Sequence, residues 1–299
     1  MQIQKTYKLV TPFPYIGKIQ DYAQLIKLRL SFVVVFSAIM GYYLGTYGQS
    51  SWAILGWLFL GGFLVTGASN AINQILEKDT DKLMSRTSSR PLPAGRMSMA
   101  EAIISAGIMS IAGISILWFA LNQLCGFLGT IALLSYAFLY TPLKKISSIS
   151  VFVGAIPGAL PPLIGWVAAT GSIGLVGVLL FSIQFIWQFP HFWAIAWVLD
   201  DDYKKAGFRM LPSRGGKDKF SAFQTLAYSA MLIPIGLLPY FLGFTGWISA
   251  VIVVLAGLML VWPSARLYIF VDNKSASKLM FSSFIYLPIV LLALVLDKI

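Results

Sequence analysis

Asn73-Gln-Ile-Leu-Glu77-Lys-Asp79-Thr-Asp81-Lys82-Leu-Met-Ser-Arg86-Thr87-Ser-Ser-Arg90-Pro91 is the stretch on which the reading of this chain turns. It lies between two apolar runs and holds three of the 11 acidic and four of the 22 basic residues of a chain that is 58% hydrophobic and only 11% charged. Asn73, Glu77 and Asp81 recur at every fourth position, so on an α-helix they drift by about 80° and share one face. Three oxygen-bearing side chains on one face, with Lys82, Arg86 and Arg90 just after them, suit a hard divalent cation whose remaining ligands come from phosphate and water. Magnesium with a diphosphate is the natural pairing. A charge run alone is more often a solvated loop. Here the acids begin while the apolar helix is still running, where an uncompensated carboxylate is expensive and usually functional.

Outward from that stretch, the composition bounds the class. Nine Trp, 21 Phe and 13 Tyr in 299 residues, with several apolar runs near the roughly 20 residues that span a bilayer, mark an all-α membrane protein. The single Cys125 lies inside such a run and excludes both a disulfide framework and a thiolate metal site. The first residues have scattered lysines but neither a continuous apolar core nor an arginine-rich amphipathic pattern. They read as neither signal peptide nor transit sequence, and a bacterial cell inner (plasma) membrane is the expected location.

Nine spans are expected, near Leu25–Leu44, Ala53–Leu76, Glu101–Leu121, Leu124–Tyr140, Val151–Ala169, Gly174–Leu199, Ser221–Leu242, Trp247–Leu267 and Ser277–Leu296. The links after the first, third, fifth and seventh carry no Lys or Arg. The amino-terminal segment and the other links, with their flanks, hold every basic residue except Lys298. By the positive-inside rule the amino terminus is cytoplasmic and the carboxyl terminus outside. The net charge of +11 therefore belongs to one membrane face, where topology and anionic lipid account for most of it and nucleic acid is not a partner. The expected architecture is a bundle of nine transmembrane helices around a central cavity open to the cytoplasmic face. It forms one domain over 1–299, with a cytoplasmic segment at 1–24 and active-site loops at 77–100 and 200–220.

A second acidic cluster, Asp200-Asp201-Asp202, ends the sixth span as the first ends the second. Gln184, Gln188 and His191 make a polar stripe within that span, facing a cavity or bonding a neighbouring helix, and Pro190 is expected to kink it. Asp202 is in phase with the stripe on a continuing helix. Three consecutive acids cannot all face one ligand, so Asp202 is the first choice among them. The link after the fourth span brings Lys144 and Lys145 to the same face. Gly154 to Trp166, with three glycines and three prolines, reads as a close-packed, bent segment lining protein or cavity.

Two acidic clusters flanked by cations on one face of a helical membrane bundle are what ionisation of an allylic diphosphate requires. No nucleophilic side chain is needed: positioning, charge neutralisation and exclusion of water suffice.

The Asn73-x-x-x-Glu77-x-x-x-Asp81 pattern resembles the first motif of the UbiA superfamily of intramembrane prenyltransferases, and most closely its protohaem IX farnesyltransferase (haem O synthase) branch. The finer likeness is carried by Glu77-Lys-Asp79-Thr-Asp81 with Met84, Arg86-Thr87 and Arg90-Pro91. It continues through Tyr140-Thr141 with Lys144-Lys145, Gly158 to Trp166, Trp187-Gln188-x-Pro190-His191-Phe192, and Asp202-Tyr203-x-x-Ala206-Gly207 with Met210-Leu211-Pro212. The resemblance implies transfer of a farnesyl group from farnesyl diphosphate to a vinyl group of haem B, with addition of water, to give haem O. It implies Mg2+ as cofactor and a partner in haem A synthase or terminal oxidase assembly. On this likeness Asn73, Glu77, Asp81 and Asp202 bind magnesium-diphosphate, and Lys82, Arg86, Arg90, Lys144 and Lys145 contact the diphosphate. Trp187, Gln188 and His191 lie in the haem region. Glu77 stands where most members have Asp, Ser150 where many have Asn, and the second cluster lacks a regular Asp-x-x-x-Asp. A quinone-precursor or other aromatic acceptor is the nearest rival reading, and a membrane transporter is a rival of another class.

Overall fold

The computed structural model describes residues 14–46, 48 and 50–299, of which 14–16 in backbone only. Among them there are nine helices long and apolar enough to cross a bilayer and no named strand. The spanning helices are α2 (Leu28–Gly45), α3 (Trp52–Leu76), α5 (Met99–Ser115, continued as a π-helix over Ile116–Leu121) and α6 (Gln123–Leu134, continued likewise over Ser135–Tyr140). After them come α8 (Ile149–Thr170), α9 (Gly174–Val198), α11 (Lys219–Phe241), α12 (Trp247–Phe270) and α13 (Asn273–Leu296). Three short helices lie outside the spans, α1 (Pro14–Leu25), α4 (Lys78–Asp81) and α10 (Asp200–Lys205), while α7 (Thr141–Leu143) closes the fourth span. The expected count of spans and their order hold.

The bundle closes on itself. α2 packs on both α3 and α8, α9 on α8, α11 and α13, and α13 returns to α2. At the end remote from the acidic clusters, the Lys298 ammonium donates to the carbonyl oxygens of Tyr43 and Thr46, fastening the last span to the first. The α2–α8 crossing explains part of the glycine-rich segment. A Cβ on Gly41 would lie 2.0 Å from the Pro162 carbonyl oxygen and one on Gly165 would lie 1.7 Å from that of Ala38, so the two backbones touch and neither position tolerates a side chain. Pro162 removes the N–H that would otherwise bond the Gly158 carbonyl, and Gln184 Nε2 of α9 donates to that oxygen instead, at 2.7 Å. Gln188 Nε2 donates to the Ala155 carbonyl at 2.9 Å. Both stripe glutamines thus join α9 to α8 while also facing the cavity.

The first span differs from expectation. It does not begin at Leu25: α1 ends there, and Lys27 takes a left-handed conformation (φ 49°, ψ 60°) before α2 starts. Such a conformation costs a non-glycine residue roughly 1–2 kcal/mol. Three carbonyls beside this break find side-chain donors. Gln74 Nε2 reaches those of Gln24 (2.9 Å) and Leu25 (2.8 Å), while Asn70 Nδ2 (3.2 Å) and Ser31 Oγ (2.8 Å) reach that of Ile26. The segment expected at 1–24 on the cytoplasmic side is helical from Pro14. It is tied to the loop before α5 by an Asp21–Arg96 ion pair and to the first turn of α5 by Lys18–Glu101; residues 1–13 lie outside the described residues.

Candidate active site

Asn73, Glu77 and Asp81 line one chamber of about 380 Å3, as their spacing requires, although the helix carrying them is not continuous. α3 ends at Leu76 and Glu77 sits at the corner (φ −98°, ψ 6°) before α4. The corner preserves the helical phase because the i to i+4 bonds run through it: Glu77 N–H donates to Asn73 O at 3.0 Å and Asp81 N–H to Glu77 O at 2.7 Å. The three side chains stay on one face.

Two ion pairs fill this face. Arg90 Nη1 donates to Asp81 Oδ2 at 2.7 Å, and Lys144 Nζ donates to Glu77 Oε1 at 2.9 Å and to Asn73 Oδ1 at 3.3 Å. Asn73 Nδ2 also donates to Glu77 Oε2, and the Tyr136 hydroxyl donates to Asn73 Oδ1 at 3.3 Å. The Lys144 ammonium lies 4.4 Å from the centre of the Tyr140 ring. Asp81 is fully buried, and burial pushes its carboxyl above the ordinary range against the opposing pull of Arg90. Its Oδ1 is buried without a hydrogen-bond partner among the described residues. A buried carboxylate oxygen left unpaired is unfavourable. Together with Glu77 and the amide oxygen of Asn73 it makes an all-oxygen donor set, the kind that suits magnesium.

The remaining sequence-based candidates divide. Arg86 reaches the rim of the chamber, and Trp187, Gln188 and His191 line its apolar side. Lys82 does not enter; it pairs with Asp79 at 3.1 Å on the surface. Lys145 is exposed and is not among the lining residues. Asp202, expected on the azimuth of the α9 stripe, does not line the chamber either. α9 stops at Val198 and Leu199 turns the chain (φ −101°, ψ 14°); the i to i+4 bonds run through this corner too, Leu199 N–H to Ile195 O at 2.9 Å and Tyr203 N–H to Leu199 O at 3.0 Å, and the chamber lining follows Ile195, Leu199 and Tyr203 and passes Asp202 by. Asp202 accepts instead from Ser85 Oγ (2.9 Å), the Arg86 backbone N–H (3.2 Å) and Lys205 Nζ (2.9 Å). Lys205, followed by Ser85 and Arg86, holds its carboxyl well below the usual range. The second cluster thus sits on the same face as the first and grips its loop. The loop after it also docks there, through Arg209 N–H to Lys144 O at 2.9 Å.

His191 has a defined setting. Its ring stacks on Trp187 (centroids 4.5 Å, 17° between planes) and its Nδ1 lies 2.8 Å from Ser283 Oγ. Ser283 donates its only hydroxyl proton to Met280 O at 2.6 Å, so it accepts from His191 Nδ1–H. Nε2 then keeps its lone pair, the form that accepts a proton or binds a metal. Trp187 Nε1 donates to Ser283 O at 2.9 Å, completing the unit.

Lys27, Tyr136 and Phe208 also line the chamber and were not singled out in the sequence; Tyr140 and Tyr203, quoted there for the family likeness without a site role, line it too. The one legible signal for Lys27, Tyr136 and Phe208 was polar or aromatic character near span ends on the basic face, which many membrane proteins share for lipid reasons. A second, apolar cavity of about 110 Å3 between α2, α3 and α8 shares Leu30, Val34, Tyr136 and Gly158 with the chamber.

Comparison with known proteins shows the family and the fold. Residues 34–287 match the model of the UbiA prenyltransferase family. Protoheme IX farnesyltransferase of Cytophaga hutchinsonii is 49% identical over 95% of this chain and 99% of its own, and that of Flavobacterium johnsoniae 45% identical over 93% and 94%. Among solved structures, a digeranylgeranylglyceryl phosphate synthase superposes with a TM-score of 0.77 at 22% identity (94% of this chain, 98% of that one). A UbiA homologue from Archaeoglobus fulgidus bound to DMAPP and Mg2+ superposes with a TM-score of 0.69 at 13% identity (92% and 99%). With its nine spans, its acid-lined chamber and this agreement over nearly its whole length, the chain belongs to the UbiA prenyltransferase family.

Proposed function

We propose that this protein transfers the farnesyl group of farnesyl diphosphate to a vinyl group of haem B, with addition of water, giving haem O and diphosphate. The observation that carries the reading is the buried Asn73–Glu77–Asp81 oxygen set, flanked by Arg90, Lys144 and Arg86, at one end of an apolar chamber whose far wall holds His191. The relatives named protoheme IX farnesyltransferase supply the acceptor.

In this reading Asn73, Glu77 and Asp81 hold magnesium, which when bound neutralises charge on the departing diphosphate. Arg86, Arg90 and Lys144 meet the phosphate oxygens, and Lys144 exchanges its pairing with Glu77 for them. The farnesyl C1–O bond breaks with its electron pair going to the diphosphate. The vinyl π electrons close the new C–C bond, and water captures the resulting cation with loss of a proton. The farnesyl chain extends toward the apolar cavity beside Tyr136 and Gly158, whose lining is mainly apolar. The Tyr136 and Tyr140 rings face the allylic cation. His191, with Nε2 unprotonated, faces the haem. Asp202 supports the site by holding the Ser85–Arg86 turn. The chamber mouth and the loops at 77–100 and 200–220 face the cytoplasm of a bacterial inner membrane, with the carboxyl terminus outside.

Incubating purified protein with labelled farnesyl diphosphate, haem B and magnesium tests this by mass spectrometry. A haem heavier by a farnesyl group plus a hydroxyl group, lost on chelation, is the expected product. Prenylation of 4-hydroxybenzoate in its place, or no product at all, overturns the assignment.

A further inference from the structure

The geometry points to Lys27 as a further contact of the diphosphate, held in place by a clamp formed by Asn70 and Gln74. The inference rests on the reading above and names a residue that reading does not use. Four cations line the chamber, Lys27, Arg86, Arg90 and Lys144, against two carboxylates, Glu77 and Asp81. Arg90 and Lys144 are paired with those carboxylates; among the described residues Lys27 and Arg86 have no carboxylate partner. Cations thus outnumber carboxylates around the chamber, and burial, followed by the nearby Arg90 and Lys144, pushes the Lys27 ammonium down to about 7, a penalty that an incoming polyanion relieves.

Lys27 is also placed with effort. It and Val271 are the two non-glycine residues with positive φ among the described residues, and Lys27 is the one that faces the chamber. An unfavourable backbone persists where its surroundings over-determine it, and such residues cluster at ligand sites. Here the surroundings are specific. Gln74 and Asn70, both buried, satisfy the Gln24, Leu25 and Ile26 carbonyls that the break releases. Gln74 immediately follows Asn73 on α3, and Asn70 is one turn before it. The helix that presents the metal-binding face also fixes the turn that presents Lys27. When the C1–O bond breaks, the ammonium of Lys27 meets the negative charge gathering on the diphosphate, with no proton transfer required.

Isothermal titration with magnesium pyrophosphate, on detergent-solubilised wild type, Lys27→Met, Lys27→Arg and Lys27→Gly, tests the assignment. Lys27→Met and Lys27→Gly should each weaken pyrophosphate binding by about 10- to 100-fold, and Lys27→Arg by much less. Glycine relieves the left-handed turn, so the Lys27→Gly protein should melt no lower than wild type while losing affinity, a combination that misfolding does not produce. In a double-mutant cycle, Gln74→Leu and Lys27→Met should be strongly non-additive in pyrophosphate affinity, as expected if Gln74 acts through Lys27. Wild-type affinity in both Lys27→Met and Lys27→Gly would overturn the contact, and additive losses would overturn the clamp. Failure of the wild-type protein to bind magnesium pyrophosphate would instead overturn the parent reading.

Discussion

Glu77 and Leu199 turn the chain in nearly the same way, with φ/ψ of −98°/6° and −101°/14°, each joining a 25-residue spanning helix to a short acid-bearing helix on the same face of the bundle. The surroundings differ. Asp81, beyond the first corner, is fully buried, paired on one oxygen with Arg90 and unpaired on the other. Asp202, beyond the second, is partly exposed at the rim, and its oxygens bind Ser85, Arg86 and Lys205. The same backbone device has thus produced a chamber-facing carboxylate in one place and a loop tether in the other. What separates them is which neighbour arrives: cavity at the first corner, the loop of the first corner at the second.

Substitutions at the two corners sharpen or break this contrast. The largest effect is expected for Asp81→Asn, which should lower single-turnover prenyl transfer by about 10³-fold or more while the protein still inserts and keeps its helicity. Wild-type rates would remove the metal role. Lys144→Met should follow, at about 10²-fold, chiefly through farnesyl diphosphate affinity, because it deprives both Glu77 and the diphosphate of a buried cation.

His191→Ala should raise the KM for haem by about 10-fold with little change in farnesyl diphosphate binding. Equal effects on both substrates would undo its placement on the acceptor side.

Asp202→Asn should act differently from Asp81→Asn. It should loosen the turn, speeding amide exchange at Arg86 by about 10-fold at neutral pH, with a smaller loss of activity. A carboxyl held below its ordinary value stabilises the turn above the usual carboxylate range and loses that hold as pH falls through the depressed value. In wild type the same opening should therefore emerge only in strong acid. Loss of magnesium affinity as deep as that of Asp81→Asn would erase the contrast and make Asp202 a ligand. The smallest effect is expected for Lys82→Ala and Lys145→Ala, within about twofold in rate, since both project to water.

Much of this was readable in the chain alone. Length and placement of the apolar runs determined nine spans, because a bilayer imposes one minimum length on every helix that crosses it. The spacing of Asn73, Glu77 and Asp81 determined a shared face, because hydrogen bonding at i to i+4 carries the phase through even the Glu77 corner. The stripe of Gln184, Gln188 and His191 was legible for the same reason. What the chain alone could not yield were contacts whose partners lie far apart in sequence. Asp202 looked equivalent to Asp81 until the chamber lining followed Ile195, Leu199 and Tyr203 past it and Ser85 and Arg86 came within reach. Lys82 and Lys145 looked equivalent to Arg90 and Lys144, since direction around a turn is not encoded in charge. Lys27 looked like one more topology anchor, and only the arrival of Asn70 and Gln74 from another helix turns it into the chamber. Local periodicity is a property of one helix and is written in its own residues; which side chain meets which ligand depends on how the helices close around a common space, and that only the assembled bundle decides.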